Sequence, residues 1–431
     1  MQKIFLLAII APIGLSLAAQ NGSGTMIDKK AAAIESKVID WRHHLHQHPE
    51  LSNREFETAK YVVNHLKSLG LEIKTGVAHT GVVGILNTGK PGPTIALRAD
   101  MDALPVAERV DIPFASKAKG TYVGQEVGVM HACGHDTHVA MLMGAAEILV
   151  EMKDQLKGKI VFIFQPAEEG APPGERGGAG MMVEEGVLDN PKVEAIFGLH
   201  INSATEVGKL KYKPGGELAA ADIFNIRVKG KQTHGSTPWT GIDPIVTSAQ
   251  IIMGLQTIIS RQTELTKEAA VISVGKITSG VRNNIIPEEA EMTGTIRTLD
   301  TAMQRIIHDK IRHVASTIAE SADATAEVEI IRGTPVTYNN PSLTAQMLST
   351  MERTAGKENV ILIDAITGAE DFAFYAQKIP GLFIFVGGMP KGNDPKLAPP
   401  HHTPDFYVDD KGMQLGVRLL CNLAIDYLNK K

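Results

Sequence analysis

The side chains of this chain that can do chemistry stand in a few short motifs. The segment His131-Ala-Cys133-Gly-His135-Asp136-Thr-His138 gathers imidazoles, a thiol and a carboxylate, and Gln165-Pro-Ala-Glu168-Glu169-Gly170 sets two acids side by side. Asp100-Met-Asp102 is a second acid pair, while His200 and His401-His402-Thr403-Pro404 add imidazoles. Thiolate, imidazole and carboxylate together form the donor set of a divalent metal site. Each motif alone has a plainer use. Neighbouring glutamates can be solvated or open a helix, a lone His200, His401 or His402 can be structural, and Asp100 and Asp102 can serve a turn before Leu104-Pro105. Beside metal ions the same groups divide labour. Successive side chains diverge, so one of Glu168 and Glu169 can bind an ion while the other takes a proton from the attacking water. Asp100, Asp102 and Asp136 are then candidates to hydrogen-bond and orient a ligating imidazole.

What must position these groups is an α/β fold. In open α/β sheets, ligands bind beyond the carboxyl ends of strands. The motifs follow apolar runs that read as strands: Asp100 and Asp102 after Thr94-Ile-Ala-Leu-Arg98, Glu168 and Glu169 after Ile160-Val-Phe-Ile-Phe164, His200 after Glu194-Ala-Ile-Phe-Gly198, and the histidine pair in a loop after Leu382-Phe-Ile-Phe-Val386. The Cys133 loop precedes a helix, and in an extended loop Cys133 and His135 would point to one side. Alternation of strands and helices over residues 27–214 predicts a mixed, mostly parallel sheet flanked by helices. Residues 215–332 change to a β-α-β-β-α-β rhythm, the ferredoxin-like plan. This second, α+β unit is read as inserted into a first domain that resumes over residues 333–431. The His-rich stretch Trp41-Arg-His43-His44-Leu-His46-Gln-His48 is read as packing or support rather than ligation.

Charge counting gives 43 Lys+Arg against 48 Asp+Glu, a net of −5, which lacks the basic footprint of nonspecific nucleic-acid binding. Ordinary proportions of hydrophobic (43%) and charged (21%) residues exclude disordered, collagen-like and coiled-coil classes. Residues 1–19 read as a signal peptide: Lys3, an apolar run over residues 4–17, then the small residues Ala18 and Ala19. Export to a periplasmic or extracellular space is therefore expected, with no membrane attachment after cleavage. Cys133 and Cys421 cannot form a disulfide framework. Cys421 falls in an apolar helix and reads as core, which argues against a redox pair, and an exported Cys133 would be protected by a metal.

Taken together, Leu97-Arg-Ala-Asp-Met-Asp-Ala-Leu-Pro105, Met130-His-Ala-Cys-Gly-His-Asp-Thr-His138, Phe164-Gln-Pro-Ala-Glu-Glu-Gly170, Gly198-Leu-His200 and His402-Thr-Pro404 resemble the dinuclear metal-dependent amidohydrolases. That group includes hippurate hydrolase, N-acyl-amino-acid aminoacylases and plant auxin-conjugate hydrolases, within a wider carboxypeptidase and aminoacylase superfamily. The resemblance implies two divalent metal ions, zinc or manganese with cobalt possible, held by Cys133, His135, Glu169, His200 and His402, with Glu168 as general base. It implies a lid and dimerisation role for the inserted domain, hence a homodimer, with His234 reaching the scissile carbonyl and Asn284 and Arg297 contacting the substrate. Gly368-Ala-Glu-Asp-Phe-Ala373 resembles the pocket wall near the metals. The implied substrates are small acylated amino acids; an exported metallo-dipeptidase or carboxypeptidase is the rival activity, and a metal-dependent binding protein the rival class. Trp239, Phe372 and Tyr375 are candidates to flank an aromatic acyl group.

Overall fold

The computed structural model describes residues 14–429. The leader expected over residues 1–19 lies outside the described residues up to residue 13, and from Gly14 the chain belongs to the helix Gly14–Gln47. Among the described residues no helix is long and apolar enough to cross a membrane.

Eight strands form the main sheet, in the spatial order Glu72–Val77, Gly81–Asn87, Lys159–Gln165, Thr94–Asp100, Ala195–Glu206, Gly381–Met389, Leu210–Tyr212, Val360–Leu362. The four expected apolar strands are its middle, side by side and mutually parallel. Burial on both faces explains their unbroken apolar runs. Along Thr94–Asp100, Ile95, Leu97 and Ala99 enter one core while Ala96 enters the other. The first core packs the helices Gly14–Gln47, His135–Glu151 and Lys411–Leu428, with Cys421 fully buried in the last of them as expected. Gly81–Asn87 near one edge, and Leu210–Tyr212 with Val360–Leu362 at the other, run antiparallel to this middle and make the sheet mixed.

The second sheet is antiparallel, ordered Ala270–Ser279, Glu289–Thr298, Ala220–Lys229, Thr325–Thr334. With the helices Pro244–Gln262 and Thr301–Glu320 it follows the β-α-β-β-α-β plan read from the sequence. Both helices start on an aspartate cap, Asp243 and Asp300, whose carboxylates accept the first free backbone N–H groups. Their apolar stripes meet Phe224, Ile226 and Val228 from one face of the sheet. A short antiparallel pair, Gly215–Leu218 with Thr337–Asn339, carries the chain into this unit and back.

One local expectation changes. The helix begins at His135 itself, and Gly134 before it is left-handed at φ 91°, so the Cys133 loop is bent rather than extended. A Cβ there would stand 2.3 Å from Ile201 Cγ2, so only glycine fits the turn. The His-rich stretch, besides preceding the helix Phe56–Ser68, itself ends the long helix Gly14–Gln47.

Candidate metal centre

The carboxyl ends of the parallel strands bring the motifs to one place. Cys133 Sγ lies 3.4 Å from His200 Nε2. His402 Nε2 lies 3.1 Å from Glu169 Oε1, and His135 Nε2 stands 3.8 Å from the same oxygen and 3.9 Å from Glu168 Oε2. Overlapping groups able to hold a cation are Cys133 with Glu169 and His402, Cys133 with His200 and His401, and His135 with Glu168 and Glu169. All five expected ligands and the expected base therefore converge.

Hydrogen bonds decide which ring nitrogens are free. His135 Nδ1 donates to Asp102 Oδ1 at 3.2 Å, leaving a lone pair on Nε2, which is buried with no hydrogen-bond partner. His200 Nδ1 donates to the Ile201 carbonyl at 2.6 Å, so its Nε2 lone pair faces the sulfur. His138, although grouped with Asp100 and His135, is saturated: Nδ1 donates to Asp100 at 2.5 Å and Nε2 accepts from Ile201 N–H at 2.8 Å. Glu169 Oε1 makes no hydrogen bond of acceptable geometry although His402 Nε2 is near. Facing lone pairs of this kind fit cations set between them.

The charge balance points the same way. Burial, then the Glu169 and Glu168 carboxylates, push the Cys133 thiol well above its usual range. Burial would lower His135, but Asp100, Asp102 and Glu169 outweigh it and raise it to about 10, so with no cation bound Nε2 would keep a proton where a cation would otherwise take its lone pair. Burial and the crowding of Glu370, Glu169 and Asp371 hold Glu168 well above the usual carboxylate range. Its side chain is nonetheless 10% open, enough to meet water. A pocket that resists negative charge this strongly is one that divalent cations would neutralise.

Support comes from Asp100 and Asp102, as expected, and from residues the sequence left unassigned. Asp102 also accepts Glu168 N–H and Glu169 N–H, each at 3.1 Å, and the Ser52 hydroxyl at 2.7 Å. Fully buried Arg98 reaches Asp100 at 2.7 Å and both Glu370 and Asp371 at 2.9 Å, while Gln165 bridges Arg98 and Asp371. The Glu370-Asp371 pair, read only as pocket wall, lies directly behind Glu168. His401, unassigned beside His402, approaches Cys133 Sγ at 3.6 Å. Nothing in the motif spacing marked Arg98 or His401.

Other expected residues fall elsewhere. Asp136 binds no ligating imidazole; it accepts from Arg42 Nε and His46 Nδ1, both at 2.8 Å, because the helix end carrying those residues packs on its far side. His46 thus supports through packing, as read for its stretch. His234 and Asn284 are neighbours on the second unit, joined through Gly235 N–H to the Asn284 carbonyl, and both are exposed. Arg297 lies on the strand Glu289–Thr298 and bonds the Ile296 carbonyl. Among the described residues, no hydrogen bond or ion pair joins these three to the Cys133 cluster. Phe372 and Tyr375 are fully buried and cannot flank a ligand, whereas Trp239 is 79% exposed.

The model of Peptidase family M20/M25/M40 matches residues 96–426. Thermostable carboxypeptidase 2 of Saccharolobus solfataricus is 42% identical over 92% of this chain and 97% of its own length. The N-acetyl-L-cysteine deacetylase of Bacillus subtilis is 39% identical over 83% of this chain and 81% of its own. The crystal structure of the Bacillus subtilis YXEP protein, described as a dinuclear metal binding peptidase from the M20 family, superposes with a TM-score of 0.78 at 35% identity, covering 93% of this chain and all of that one. By its motifs, its fold and these matches, the chain belongs to Peptidase family M20/M25/M40 and is a hydrolase of amide bonds.

Proposed function

We propose that this protein hydrolyses the amide bond of small N-acyl amino acids, such as N-acetyl or hippurate-like substrates, to a carboxylic acid and a free amino acid. The observation that carries the reading is Glu168: a half-buried carboxyl with one edge open to water, set beside a cluster of unsatisfied ligand atoms whose bound cations would hold it ionised and ready to take a proton. Cys133, His135, Glu169, His200 and His402 would hold two divalent ions, zinc or manganese, with cobalt an alternative. When bound, such a pair acidifies water and polarises the amide carbonyl. Glu168 takes the proton from the attacking water and delivers it to the leaving nitrogen as the C–N bond breaks. Asp102 fixes His135 and the backbone of both glutamates, so base and ligands keep their relative places. His234 would donate to the oxygen that becomes negative, and Asn284 and Arg297 would hold the substrate carboxylate.

His234 is exposed and apart from the cluster within one chain, which supports a lid over residues 215–332 that closes or acts across a homodimer. Mixing His234→Ala with Glu168→Ala protein should regain activity only if the histidine serves the partner's site. The N-terminal apolar run supports export of the mature chain, and N-terminal sequencing of secreted material tests it.

The relationship to a protein named as a carboxypeptidase favours peptide hydrolysis as the second reading. Elemental analysis together with amino-acid release separates the two. We expect two metal ions per chain and faster turnover of N-acetyl and N-benzoyl amino acids than of unblocked dipeptides. The reverse order would favour the peptidase; no release from either class by metal-loaded protein would sink the proposal.

A further inference from the structure

His401 and His402 are adjacent but have different surroundings. His402 is left-handed at φ 63°, so the backbone turns sharply between the two rings and sends them to different sides of the cluster. His402 Nε2 faces Glu169. His401 Nε2 accepts the Ser203 backbone N–H at 3.2 Å, so its ring proton belongs on Nδ1, and Nδ1 faces Cys133 Sγ at 3.6 Å. The other imidazole touching this sulfur, His200, has given its proton to the Ile201 carbonyl and offers the thiolate only a lone pair. The remaining close groups around Cys133 are carboxylates and His402, whose Nε2 is turned to Glu169.

We propose that His401 is a positioning residue: it does not ligate but donates Nδ1–H to the Cys133 thiolate, fixing the sulfur's direction and drawing charge from it. The inference rests on the metal-site reading above. A thiolate that accepts a hydrogen bond is a weaker electron donor, so an ion bound to it keeps more of its own acidity. The Ser203 backbone, in the strand that carries His200, sets the tautomer, and the ring packs against Phe406 at 4.7 Å between centroids. Strand, thiolate and loop are thereby tied through one ring.

Cobalt-loaded full-length chain gives the test, since sulfur-to-cobalt charge transfer reports thiolate charge directly. His401→Phe retains a ring without a donor, and His401→Leu repeats the measurement should the larger ring not be accommodated. His401→Asn places an amide N–H where Nδ1 stood. The donor-free variants should still bind two cobalt ions per chain, move the charge-transfer band to longer wavelength, and lose about 10-fold in kcat with little change in KM. His401→Asn should move the band back. An unmoved band in the donor-free variants overturns the inference, as does a fall from two bound ions to one, which would make His401 a ligand. A wild-type chain that binds cobalt without any sulfur-to-cobalt band overturns the metal-site reading itself, and the inference with it.

Discussion

The Asp102 carboxylate accepts a hydrogen bond from His135 Nδ1 at 3.2 Å and, with the same two oxygens, holds the backbone N–H groups of Glu168 and Glu169. One buried acid thus ties a strand end, a helix start and the glutamate loop together. Asp102→Asn retains the volume but turns one acceptor into a donor. Metal affinity or kcat/KM should fall about 10–100-fold, read by competitive metal titration beside kinetics. A variant with wild-type metal affinity and turnover would show that His135 needs no such anchor.

Glu168→Gln removes the proton acceptor and leaves the shape. We expect kcat to drop by about 10²–10⁴-fold with metal content unchanged by elemental analysis. Full activity at full metal content would remove Glu168 as the base.

Arg98 is the cation for Asp100, Glu370 and Asp371, all buried. Arg98→Met keeps the stem and deletes the charge, leaving three acids to face one another. Breaking a buried charge network in this way typically costs about 3–5 kcal/mol, measurable as an earlier urea midpoint. A midpoint within error of wild type would mean the acids are neutral without it.

The Asp136–His46 pair should show its pH dependence in both directions. Burial opposes ionisation of Asp136, but Arg42 and His46 hold it well below the usual carboxylate range. That contribution to stability is present above the unfolded value of about 3.9 and is lost as pH falls through the folded one. Burial would lower His46, but Asp136 and Glu108 raise it; this contribution is full below about 6.5 and is lost as pH rises through the higher folded value. The stability gap between wild type and Asp136→Asn should therefore peak between about pH 4 and 6.5 and shrink on either side. A gap that is flat from pH 3 to 9 would contradict the assignment.

Much of this architecture was legible in the chain. Strands such as Ile160 to Phe164 are apolar throughout because both faces are buried, and each is followed directly by its chemical motif, so the sheet edge could be read one strand at a time. The β-α-β-β-α-β unit was legible for the same reason, since its two helical stretches and alternating strands have distinct periods. What escaped was pairing over long separations. Arg98 meets Glu370 and Asp371 only once two parallel strands lie on either side of a third, and no local pattern encodes that meeting. Asp136 misled because its motif neighbours Cys133 and His135 face the ligand cluster while its own side chain turns the other way around the helix, toward Arg42 and His46. The left-handed turn at Gly134 was equally silent, being one glycine among many.

The short ribbon of Gly215–Leu218 against Thr337–Asn339 sets Gly215 directly opposite Asn339. Departure and return are neighbours across one strand spacing, so to the large sheet everything between them is topologically a hairpin turn. Because the closure cost of a loop grows only by about 0.6 kcal/mol for each doubling of its length, and these ends are already clasped, lengthening or trimming the cap need not loosen the platform that carries Cys133 and Glu168.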